Sequence, residues 1–126
     1  MICNRDALRV AAATGFAAVA LGAFGAHGFK SVLEQNQTTA IWQTAVLYHL
    51  VHAVMLVVVA LRKPLLVTAW WGFLAGILLF SGSLYVLAIT NAKWLGAITP
   101  IGGVSFLVGW VWIAIKAAKL SETGRE

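Results

Sequence analysis

Nine side chains in or beside the apolar stretches of this sequence have the functional groups for chemistry: His27, Tyr48, His49, His52, Ser81, Ser83, Tyr85, Thr99 and Ser105. His49 and His52 stand three residues apart, which on a helix puts both imidazoles on one face and within reach of a shared ion. His27 joins them only if the first two apolar stretches pack near it. No Asp, Glu or Cys lies inside the apolar stretches to complete a metal set. The pattern therefore favours histidines that hydrogen-bond between helices over a metal centre or a proton relay, and it implies no cofactor. Ser81, Ser83 and Tyr85 offer hydroxyls, but Ser81-Gly82-Ser83 is not the strand-to-helix elbow of a hydrolase. No acid accompanies the histidines, and a hydroxyl on an apolar helix usually bonds the carbonyl four residues back. The chemistry points away from an enzyme.

The elements that must position these groups follow from composition. Of 126 residues, 61% are hydrophobic and 10% charged. A soluble domain carries about 25% charged and about 45–50% apolar residues, and a globule this small lacks the interior to hide the excess. A soluble fold is excluded, and so is disorder, which needs low hydrophobicity. The solvent that fits is the lipid bilayer. The net charge of +5 is not a nucleic-acid signature, because no basic run exceeds the two residues Arg62-Lys63. Cys3 is the single cysteine, so no internal disulfide forms.

Crossing a hydrocarbon core of ~30 Å takes about 20 apolar residues in a helix. Four stretches qualify, at about 10–27, 41–61, 66–90 and 95–115, and none contains Asp, Glu, Lys or Arg. The expected fold is all-α: a single-domain four-helix transmembrane bundle over residues 1–126 with antiparallel neighbours. Its short connections carry Gly28, a capping-box spacing at Ser31–Glu34, the turn Arg62-Lys63-Pro64, and Asn91-Ala92-Lys93. The glycine-patterned first stretch reads as a retained span, not a cleaved signal peptide. Thr99-Pro100-Ile101-Gly102-Gly103 reads as a proline in the first turn of the fourth helix, with a broken helix as the alternative.

Charge sets orientation. Arg5, Arg9, Arg62, Lys63, Lys116, Lys119 and Arg125 fall on one side of a four-span chain, and only Lys30 and Lys93 on the other. The positive-inside rule then predicts both termini in the cytoplasm. Trp42, Tyr85, Trp94, Trp110 and Trp112 lie toward span ends, as an aromatic belt would. In the second stretch Trp42, Ala45, Tyr48, His49 and His52 share one arc, which predicts a protein-facing side opposite a Val/Leu side that meets lipid. Small residues repeat at helical spacing: Gly15, Ala18, Gly22 and Ala26; Gly72, Ala75, Gly76, Gly82 and Ser83; Ser105 and Gly109. They predict close helix packing within the chain, in preference to a homo-oligomer contact. All four spans put their polar groups in the outer half, and His52, Tyr48, Ser83 and Thr99 are expected to face one another there.

Four ordered blocks carry a resemblance: Leu21–Gly28, Trp42-x-x-Ala45-x-x-Tyr48 with His52-Ala53, Leu79–Tyr85, and Thr99–Trp110. Together they resemble the small bacterial inner-membrane family typified by YgdD and YwdK, whose function is unknown. The resemblance implies a four-span plasma-membrane protein and transfers no catalytic residue. Family members often carry glutamine where this chain has His49, so the resemblance implies no role that requires imidazole there. Two function classes follow: a non-enzymatic structural or partner-binding component whose protein partner the sequence does not name, or a subunit of a small oligomeric transporter using the outer polar cluster. The bilayer is the expected surroundings in both cases.

Overall fold

The computed structural model describes residues 2–123, and all the regular structure among them is helical. In chain order the elements are α1 (Asn4–Ala26), α2 (Lys30–Asn36), α3 (Thr39–Leu61), α4 (Val67–Gly76), a π-helical segment (Ile77–Ser81), α5 (Gly82–Thr90), a 3-10 segment (Lys93–Ala97) and α6 (Thr99–Thr123). The segments Asn4–Ala26, Thr39–Leu61, Val67–Thr90 and Lys93–Lys119 are long and apolar enough to cross a membrane. The third of them is continuous through its π-helical turn, where each bond reaches one residue further than in an α-helix.

Several boundaries differ from the sequence reading for local reasons. Helix α1 begins six residues before its apolar run, because Asn4 is held in place: its Nδ2 donates to the Ala60 and Arg62 carbonyls, both at 2.9 Å. Two of the free carbonyls at the end of α3 are thereby satisfied. Helix α2 starts at Lys30 with Phe29 as its N-cap and no side-chain cap, so Ser31 lies inside the helix instead of capping it. Pro64 belongs to the connection, since α4 starts only at Val67. Pro100 does sit in the first turn of α6, where its missing N–H costs nothing. At the opposite end from Asn4, Asn36 Nδ2 donates to the Ala88 and Ile89 carbonyls and Thr38 Oγ1 to Ala88 at 2.7 Å. Gln37 and Asn91 close α2 and α5 in the left-handed region, at φ 57° and 58°.

Helix α1 packs on α3, while α6 packs on α4 and the π-helical segment; α3 also packs on α4, the π-helical segment and α5. The middle two spans bury 39% of their apolar windows and the first and last 17% each, which puts α1 and α6 at the edges. The larger core cluster joins Ala7 and Ala11 of α1 to Leu56, Val59, Trp70, Phe73, Ile77 and Phe106. A smaller one gathers Leu33, Trp42 and Ala88 beside α2. On α3, Trp42, Ala45, His49, His52, Ala53, Leu56, Val59 and Ala60 are buried, whereas Leu47, Leu50, Val51, Val54 and Val58 are exposed. The predicted arc is thus the protein-facing one, except that Tyr48 is 41% exposed.

Candidate functional site

The nine candidate residues fall into separate groups set by helix geometry. Positions two apart on a helix point about 200° apart, so alternating hydroxyls on the third span serve both neighbours. Ser81 is fully buried toward α3 and donates to the Ala45 carbonyl at 2.8 Å. Ser83 faces the other way and shares a 2.8 Å bond with Thr99 Oγ1 at the start of α6. Tyr85 turns back toward α3, where its hydroxyl meets His49 Nδ1 at 2.9 Å. Ser105 reaches from α6 to the Gly72 carbonyl at 2.8 Å.

His52 is the most elaborated of these sites. Its Nε2 accepts from the Trp110 indole N–H at 3.1 Å, and its Nδ1 lies 2.7 Å from the Tyr48 carbonyl one turn back. A donor at Nε2 and an acceptor at Nδ1 fit only the neutral imidazole with its proton on Nδ1. The ring stacks flat on Phe106, with centroids 3.6 Å and planes 13° apart. Both nitrogens are thus engaged and one face is covered.

The expected quartet is brought together only in part. Ser83 and Thr99 bond each other, but His52 is joined to Trp110 and to the backbone of Tyr48, not to either hydroxyl. Tyr48 contributes that carbonyl, and its ring packs on Phe80 at 4.6 Å. His27 is exposed at the end of α1. His49 and His52 are engaged separately: His49 Nδ1 meets Tyr85, and both His52 nitrogens are taken by the Tyr48 carbonyl and Trp110. Among the described residues no group of three metal-ligating side chains converges.

Among the described residues the Trp70 indole N–H is buried without a hydrogen-bond partner, whereas the His49 ring approaches the Thr14 backbone of α1. His49 also lines a groove of about 410 Å³ with Thr14, Ala17, Leu74, Ile77, Gly82 and Tyr85. The aromatic belt is thinner than expected. Trp94 is 70% exposed, but Trp42 is 3% exposed and donates from its indole to the Leu21 carbonyl at 2.9 Å. Trp112 carries the Lys116 ammonium 5.1 Å above its ring.

Sequence reasoning missed three of the residues that hold this arrangement. Trp110 was read as belt but completes His52. Asn4 and Asn36 lie outside the apolar stretches and tie the ends of α3 and α5. Polar amides placed just outside apolar runs were the available signal, since helix ends leave carbonyls in need of donors.

Helices of this length and apolarity, held by buried interhelical hydrogen bonds, define a multi-pass membrane-protein class. Residues 21–103 match the model of the family described as Protein of unknown function (DUF423), and the chain belongs to that family. It is similar to the UPF0382 membrane protein YwdK of Bacillus subtilis (strain 168), 47% identical over 81% of this chain and 87% of the relative. It is also similar to the UPF0382 membrane protein SERP0230 of Staphylococcus epidermidis, at 44% over 82% and 88% of the two chains. The UPF0382 inner membrane protein YgdD of Escherichia coli (strain K12) is 40% identical over 96% of this chain and 95% of its own length. No solved structure matches.

Proposed function

We propose that this protein is a non-enzymatic, single-domain component of the bacterial inner membrane, a scaffold that binds a partner or lipid and not a conduit. Its four spans run antiparallel to their neighbours, with both termini in the cytoplasm. The observation that carries the reading is the closure of the polar side chains. Ser81, Ser83, Thr99, Ser105 and His52 each spend their hydrogen bonds on a neighbouring helix or their own backbone. Such bonds hold helices together where lipid removes the hydrophobic drive. A transport path needs the same groups turned toward water and continued by others toward the cytoplasm. The charge bias of the connections and the family likeness to named inner membrane proteins support the location and orientation.

Two measurements test this. Reporters fused at the C-terminus should read cytoplasmic and reporters in the 31–39 loop external; an external C-terminus would overturn the orientation. Purified protein in proteoliposomes should pass no more protons or ions than empty vesicles from pH 5 to 8. Flux that falls in His52→Ala would instead favour the transport reading.

A further inference from the structure

The upper part of α1, together with α2 and α3, encloses a groove of about 450 Å³ that the polar network does not use. That volume lies within the ~300–1,000 Å³ typical of small-molecule sites. Its lining changes character along its length. Lys30, Glu34, Thr39 and Gln43 stand at one end, and Val46, Leu47 and Leu50 continue below them. From Thr39 to Leu50 the groove follows α3 for about 16 Å at 1.5 Å per residue. Half of a ~30 Å hydrocarbon core is about 15 Å, so the groove from its polar end to Leu50 matches the depth of one leaflet, with the apolar part from Val46 to Leu50 covering about 6 Å of it. The polar end then falls at the level of α2, whose buried Leu33 and exposed Lys30 and Glu34 suit a helix lying at the membrane surface.

The walls explain why the space is open. Gly25 admits the Trp42 indole, which a Cβ there would strike. One turn earlier, a Cβ on Gly22 would meet only Val46 Cγ1, at 3.4 Å. At the mouth, Lys30 Nζ and Glu34 Oε1 lie 4.0 Å apart. A cation beside an anion complements a headgroup that carries a phosphate next to a primary ammonium. The phosphate would accept from Lys30, and the ammonium would donate to Glu34.

We propose that this groove binds one phospholipid of the leaflet facing α2, with an ethanolamine-type headgroup on Lys30 and Glu34 and an acyl chain along Gly22, Val46, Leu47 and Leu50. The proposal deepens the scaffold reading by naming a ligand class, but it does not depend on the absence of flux or on orientation. A quaternary choline headgroup lacks the N–H donors, and a glycerol headgroup lacks the cation.

The test uses the full chain in vesicles of equal phosphatidylethanolamine, phosphatidylglycerol and phosphatidylcholine. Protein is extracted in mild detergent and weighed intact by native mass spectrometry. One lipid per chain should remain bound, with phosphatidylethanolamine enriched about two- to fivefold, the range that exposed ion pairs deliver. Glu34→Gln, on an exposed side chain, should abolish that enrichment while leaving a lipid bound. Gly22→Leu fills the groove and should abolish retention for every headgroup. Leu47→Trp fills it from an exposed position on α3 and should do the same, without altering α1. Folded wild-type protein that retains no lipid, retains all three equally, or covers this face with a second copy would overturn the proposal. Since the readout is bound mass, its failure is distinct from a positive flux result, which bears on the scaffold reading alone.

Discussion

The two edges of this bundle are built differently. Where α6 crosses the third span, glycines bring the chains together: Gly72 lies against Ser105 and Gly109, Gly76 against the Phe106 ring, Gly109 against Phe73, and Gly102 against the backbone of Phe80 in the π-helical segment. Two hydrogen bonds cross that seam, Ser105 to Gly72 and Ser83 to Thr99, with Trp110 to His52 beside them. Where α1 meets α3 the buried contacts are alanines, Ala7, Ala11 and Ala18, and the polar crossings are Trp42 to Leu21 near one end and Asn4 to the Ala60 and Arg62 carbonyls at the other. That edge leaves grooves on both sides of α1. Close backbone approach through paired glycines marks the α6 side, and alanine contacts flanked by open grooves mark the α1 side. A small-residue stripe does not by itself define a tight seam. Gly15 of α1 has no neighbouring atom within 4 Å of where a Cβ would stand.

Substitutions can sharpen or break this contrast. The largest effect is expected at Gly102→Ala, whose new methyl would meet the Phe80 backbone, which cannot swing away. The overpacking range gives a loss of about 3 kcal/mol, read as reversible unfolding in detergent. Gly76→Ala meets a movable Phe106 ring and should cost less, about 1–2 kcal/mol by the same measurement. On the α1 edge the sign should reverse. Gly15→Ala enters open space and removes a glycine from a helix interior, so it should stabilise by about 0.5–1 kcal/mol. A loss there would mean that α1 meets something close at that position. The smallest effect is expected for Ser105→Ala, about 0.6 kcal/mol for one interhelical bond; a cost several times larger would make the α6 seam depend on polar contacts more than on glycine packing.

Much of the fold was legible because lipid imposes long apolar helices and few alternatives. The α3 face could be read from Trp42, Ala45, His49 and His52 by periodicity alone. The small-residue arc of the third span was read as one stripe, yet Gly72 and Gly76 face α6 while Gly82 lines the groove by α1. The π-helical turn between them was not readable, since Ile77–Ser81 is as apolar as its surroundings. The packing role of Gly102 was not legible, because the backbone it approaches, at Phe80, lies more than twenty residues away. The polar cluster was legible as residues but not as pairs. Which hydroxyl meets which carbonyl depends on helix rotation, and hydropathy does not fix rotation.

In a scaffold of this kind the buried polar positions are dry helix contacts. Thiol accessibility reads this directly. Cys3 is the only cysteine and is exposed, so a Cys3→Ser background leaves no reactive thiol. In that background Ser81→Cys and Ser83→Cys, both buried, are treated in intact vesicles with a membrane-impermeant thiol reagent from each side, with the exposed Thr39→Cys as the reactive control. Only a thiolate in contact with water reacts. The account predicts that Thr39→Cys is modified while Ser81→Cys and Ser83→Cys stay unmodified until the protein is unfolded. Modification of either serine position in the folded protein, at a rate comparable to the control, would contradict it and would mean that water enters the bundle along these groups.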